Sequence, residues 1–158
     1  MINFYGPQEP QNDSEQILVR NFWLEVEKQI LEAKNKNCKL ILQGDANAKL
    51  GKEIFPRDLH KQTFNGAILY DLVSRHDLFI LNLDEKCDGL ITRHRDTVKG
   101  LETSVIDYII VCEELMTKFE KMTIDEKREH VLTKYSTRKG IQTRKTSDHN
   151  IMHAQICD

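Results

Sequence analysis

The chain has 158 residues, of which 39% are hydrophobic and 30% charged, with a net charge of −2. That length suits one domain with a real buried core, and no apolar run approaches the roughly 20 residues that cross a bilayer. The near-neutral charge excludes a chain that is basic all over, so any nucleic-acid footprint must be local.

The opening MINFYGPQ has neither a basic nor an apolar leader segment, so no secretory signal is visible and an intracellular protein is expected, the nucleus being one compartment open to it. Cys38, Cys87, Cys112 and Cys157 form no C-x-x-C pair, and three of them lie in or beside apolar runs. That points to reduced thiols rather than a disulfide or zinc scaffold.

In chain order, residues 2–5 read as a short strand stopped by Gly6-Pro7. Asp13 or Ser14 can cap the helix predicted over 15–33, where Leu18, Phe22, Val26 and Ile30 recur every fourth residue and Ile17 and Trp23 widen the stripe. A compact apolar strand is predicted over 38–42, and 43–65 reads as irregular. A short helix follows over 66–75, then strands over 78–81 and around 90–95. The segment 104–112, SVIDYIIVC, is a strong strand with Asp107 inside it. One helical turn over 113–118 and a strand over 119–124 come next. A polar, basic stretch then leads to the alternating strand NIMHAQIC. The pattern is one layered α/β domain without repeats or linkers.

Three polar clusters sit at strand ends. Asp45 and Asn47 follow the strand 38–42, Asp107 lies among aliphatics, and Asp148, His149 and Asn150 precede the last strand. Each has an ordinary structural explanation. Asp45 and Asn47 could form a simple Asx turn, and a lone histidine is more often structural than reactive. Asp107 is harder to place, because a carboxylate amid Val105, Ile106, Ile109 and Ile110 needs a partner if buried.

Taken in order, GDAN at 44–47, SVIDYIIV at 104–111 and SDHN at 147–150 resemble the endonuclease/exonuclease/phosphatase superfamily. Tyr5-Gly6-Pro7 matches that family's earlier Y-x-P element. FYGPQE with GDANAKLG is most similar to the apurinic-like endonuclease domain of non-long-terminal-repeat retrotransposons.

The resemblance implies the C-terminal part of an α/β sandwich, two face-to-face sheets with outer helices, incomplete at the N-terminus. It implies magnesium-dependent hydrolysis of DNA phosphodiesters. Asp45 resembles the residue that orients or deprotonates the attacking water, and Asn47 its phosphate-contacting neighbour. Asp148 resembles a magnesium carboxylate, and His149 the donor to the phosphate. Asp107 resembles the residue that orients this histidine, and Tyr5 the phosphate-contacting tyrosine. Arg138, Lys139, Arg144 and Lys145 read either as a solvated loop or as a grip on the DNA backbone; Arg93, His94 and Arg95 invite the same idea. The early asparagine and metal-binding glutamate of the family have no counterpart ahead of Tyr5. A missing N-terminal segment, or a parent polyprotein with a downstream reverse transcriptase, is therefore an expectation, with weak metal binding in this chain alone. The competing expectations are a non-catalytic, retroelement-derived binding module, and a phosphatase acting on lipid or sugar phosphates.

Overall fold

Helix α1 (Asp13–Asn35) begins where Asn12, in extended backbone, accepts the Glu15 amide on its side chain. Asp13 and Glu15 in the first turn suit the positive end of the helix dipole. The buried face is Val19, Trp23, Val26 and Ile30. This corrects the expected stripe. Leu18 is 65% exposed, Ile17 is exposed and Phe22 is half-buried. The cap is likewise Asn12 rather than Asp13 or Ser14.

The computed structural model describes residues 1–138 and 141–157, with the backbone alone over 134–138 and 141–145. Its main sheet orders β1 (Ile2–Tyr5), β2 (Ile41–Asp45), β7 (Asp107–Cys112) and β3 (Leu78–Ile80) side by side. Strands β1 and β2 are parallel, while β7 runs antiparallel to both its neighbours. One face of this sheet packs Phe4, Leu42, Tyr108 and Ile110 against α1 and α2 (Phe64–Arg75).

The other face carries Ile41, Ile109 and Val111 onto a second sheet. That sheet orders β11 (Met152–Ile156), β8 (Phe119–Ile124) and β4 (Cys87–Asp88). Phe119, Met122 and Ile124 from β8 fill the space between, with Met152, Ala154 and Ile156 packed alongside. The result is the expected layering of two sheets with outer helices, and no closed barrel forms among the described residues. No helix among them is long and apolar enough to cross a membrane.

Two hairpins complete the described fold: β5 (Arg93–Thr97) with β6 (Gly100–Ser104), and β9 (Thr133–Arg138) with β10 (Ile141–Thr146). The second corrects the reading of that segment as a basic loop. Strand β2 begins three residues later than expected and runs through Asp45, whereas β7 starts only at Asp107. The turn over 113–118 is α3 (Glu113–Met116). None of the four cysteines is in a disulfide.

Candidate active site

Strand pairing builds the site. Tyr5 is the register partner of Asp45, and Asp45 that of Asp107, so three residues from β1, β2 and β7 form one row at one end of the sheet. Paired residues point to the same face. The close approach at this end depends on glycine. Gly44 has φ +150, and a Cβ there would stand 1.9 Å from the Phe4 carbonyl oxygen. A Cβ on Gly6 would come within 2.4 Å of the Ala46 carbonyl oxygen.

Beyond Asp45 the chain turns sharply. Asn47 sits in the left-handed region at φ 46, which asparagine tolerates better than most residues. Its amide N–H donates to Asp45 Oδ1 at 2.8 Å, the Asx turn open to the sequence, and its side-chain Nδ2 donates to the Gly6 carbonyl at 2.8 Å. A second proton on that nitrogen remains for a ligand.

Asp107, 8% exposed, is gripped from both sides through its backbone. Its N–H donates to Thr92 Oγ1 at 3.1 Å, and its carbonyl accepts from Asn82 Nδ2 at 3.1 Å. Asn82 Oδ1 then accepts the Ile109 amide. Both Thr92 and Asn82 are buried. The Tyr108 hydroxyl, deep in the core, bonds the carbonyls of Ala48 and Val105, tying the Asp45 turn to β7.

The segment 147–150 is stitched across this row. Asn150 N–H donates to the Thr92 carbonyl and His94 N–H to the Asp148 carbonyl, both at 2.7 Å. His149 thereby lies over the two aspartates. Its Nδ1 is 3.0 Å from each Asp107 oxygen, while Nε2 faces Asp45 Oδ2 at 3.8 Å and Asp148 Oδ1 at 3.7 Å. The first contact is a hydrogen bond; the other two are ion-pair distances. Asp148 Oδ2 accepts from Arg93 Nε at 2.8 Å.

The electrostatics follow from these contacts. The hydrogen bond to Asp107 lifts His149 above its ordinary value, against burial and with help from the charges of Asp107, Asp45 and Asp148. Burial lifts the Asp45 carboxyl above the usual range; the Asn47 N–H opposes that and the Asp107 charge adds to it. Asp148 is held low: burial resists, but the hydrogen bond and charge of Arg93 outweigh it.

Asp45, Asp107 and His149 bring ligand atoms within 4.8 Å of one another. Two carboxylates suit a hard cation, but an imidazole committed to Asp107 does not. The oxygen donors for a hard divalent cation are the carboxylates here, Asp45 and Asp107 within the cluster and Asp148, whose Oδ1 faces the same imidazole nitrogen as Asp45 Oδ2.

Of the residues singled out from the sequence, Asp45, Asn47, Asp107, Asp148 and His149 converge. Tyr5 stands at the end of their row with its side chain in solvent, 70% exposed. Arg138, Arg144 and Lys145 lie on the β9–β10 hairpin, and their side chains, like the whole of Lys139, fall outside the described residues. Sequence reasoning missed Thr92 and Asn82 as the clamps on Asp107. It also missed Glu9, whose carboxylate accepts the Phe64 and Asn65 amides at the start of α2.

No family model matches the sequence, and no curated protein matches it significantly. Solved structures do. The endonuclease domain of TRAS1, a telomere-specific non-LTR retrotransposon, is similar with a TM-score of 0.58 at 22% identity, over 84% of this chain and 50% of that one. The 3′ phosphatase NExo from Neisseria, bound to a product DNA hairpin, gives 0.65 at 15% identity, over 98% of this chain and 60% of that one. The 3′–5′ exonuclease NExo from Neisseria meningitidis gives 0.64 at 15% identity, over 98% and 59%. The chain shares its fold with these nuclease and phosphatase structures. The chain spans 50 to 60% of the length of these structures.

Proposed function

We propose that the chain is an endonuclease domain of the retroelement type, which hydrolyses DNA phosphodiester bonds with magnesium. The observation that carries this reading is the imidazole of His149, fixed by both oxygens of Asp107 at 3.0 Å with its other nitrogen turned to Asp45 and Asp148.

Phosphodiester hydrolysis asks for a placed water, a proton acceptor and donors for the phosphoryl oxygens. Asp45, made more basic by burial, orients the water and takes its proton as the oxygen attacks phosphorus. His149, kept protonated by Asp107, donates Nε2–H to a non-bridging oxygen. Asn47 offers its remaining amide proton to the same group, and Tyr5 reaches the phosphate from the end of the row. Magnesium held through Asp148 would supply positive charge beside the phosphoryl oxygens. Arg138, Lys139, Arg144 and Lys145 would hold the DNA backbone without reading bases. The DNA hairpin in the Neisseria structure and the retrotransposon origin of the TRAS1 domain favour a polynucleotide over a lipid or sugar phosphate.

The test is nicking of supercoiled plasmid in magnesium. The wild-type chain should convert it to open circle, and an Asp45→Ala, His149→Ala variant should be slower by about 100-fold or more. Equal nicking by both, or none by the wild type, contradicts the reading.

A further inference from the structure

Beside the catalytic cluster opens a polar cavity of about 590 Å³, which shares Asn47 and Arg93 with it. His60, from the loop between β2 and α2, lines this cavity, and the mechanism above leaves it without a role. Behind it lies Asp58, only 1% exposed. Asp58 Oδ1 accepts the His60 backbone amide at 3.1 Å and pairs with His60 Nδ1 at 2.7 Å. The other carboxylate oxygen, Oδ2, is buried without a partner among the described residues. A carboxylate in that position is expensive to keep. Oδ1 holds both the His60 amide and the imidazole Nδ1, and in the protonated ring, with Nδ1–H kept on Asp58, Nε2–H is the donor offered to an anion. The arrangement repeats that of Asp107 and His149 next door.

Charged groups of both signs line the cavity, and Arg93 is already paired with Asp148, so the cationic donors left for an anion are Lys49 and His60. Lys49, Arg93 and Arg95 line the cavity together with Glu9 and Glu102. Both oxygens of Glu9 are occupied by the amides of α2, and Glu102 is the register partner of Arg95 across the β5–β6 hairpin. The space is much larger than one phosphate needs.

Building on the endonuclease reading, we propose that His60, held by Asp58, is a second phosphate-binding residue that grips a phosphodiester flanking the scissile one. The cavity then takes a run of polynucleotide, and the substrate class is a polymer rather than a small phosphate ester.

Two measurements separate this from the parent reading. Binding of a fluorescent DNA duplex in EDTA, read by anisotropy, does not depend on catalysis. His60→Gln should weaken it about 10-fold and reduce the slope of log affinity against log salt by about one. His60→Arg, which keeps a cationic donor, should hold affinity within about threefold of wild type, and both variants are compared at a temperature below their measured melting transitions, since each removes a partner of the buried Asp58. In magnesium, His60→Gln should raise KM for oligonucleotide cleavage about 10-fold with kcat nearly intact, and should leave bis(p-nitrophenyl) phosphate hydrolysis unaltered, since that diester has no flanking phosphate. Unchanged duplex affinity in His60→Gln, or an equal loss on the small diester, overturns the proposal. Absence of cleavage by the wild type overturns the endonuclease reading alone, and the binding arm still decides on His60.

Discussion

His149 binds its proton more tightly in the folded chain than in the unfolded one, because Asp107 holds Nδ1 and three carboxylates surround the ring. The stabilisation from this pair is therefore fully present below the ordinary value of 6.5 and is lost as pH rises through the raised folded value. Urea unfolding of wild type and His149→Gln should show a stability gap that narrows from pH 6 towards alkaline pH; a gap that widens contradicts the assignment. Asp148 behaves in the opposite sense. Its lowered value makes its contribution with Arg93 present above 3.8 and lost as pH falls through the folded value. In the proposed cleavage reaction the same logic applies to Asp107→Asn, which removes the charge that holds the His149 proton. The alkaline limb of the rate profile should move to lower pH in that variant, and an unmoved limb would mean that another group sets it.

At the scale of elements, α1 shows why a stripe can be read with the right period and the wrong phase. Leu18, Phe22, Val26 and Ile30 are each four apart, and each such step overshoots a full turn by about 40°. The face that packs instead steps by four, three and four, through Val19, Trp23, Val26 and Ile30. Ile30→Ala should lose about 2–4 kcal/mol in urea unfolding, and Leu18→Ala about 0.5 kcal/mol or less; similar losses would restore the stripe first expected. The β9–β10 hairpin was illegible because its sequence, TKYSTR and IQTRKT, is polar apart from Tyr135 and Ile141, leaving no alternation to detect. The clamp on Asp107 was illegible for another reason. Thr92 is a single hydroxyl whose partners lie 14 and 15 positions away, and no local pattern announces such a contact. Thr92→Val keeps the shape and strands two buried amides. It should lower stability by about 1–3 kcal/mol, measured by urea unfolding, while Thr92→Ser should lose less. Equal losses would mean that the methyl group, not the hydroxyl, matters.

Over the whole molecule, the convergence of Asp45, Asp107 and His149 could be read in advance because motif residues sit where strands end, and the sheet order collects those ends. Asp45 and Asp107, 62 positions apart in sequence, become register partners, and the turn ahead of β11 lays His149 over them. What the sequence could not supply was the cavity beside them, because its walls come from the loop after β2 and the β5–β6 hairpin, which carry no shared pattern. The account stands on Asp107 and His149 acting as one unit. A double-mutant cycle on DNA nicking rates measures that directly, using Asp107→Asn, His149→Gln and the combination. The account predicts that each single variant is slowed about 100-fold or more and that the double is hardly slower than His149→Gln alone. Rates that multiply across the two substitutions, or single variants as fast as wild type, would contradict it.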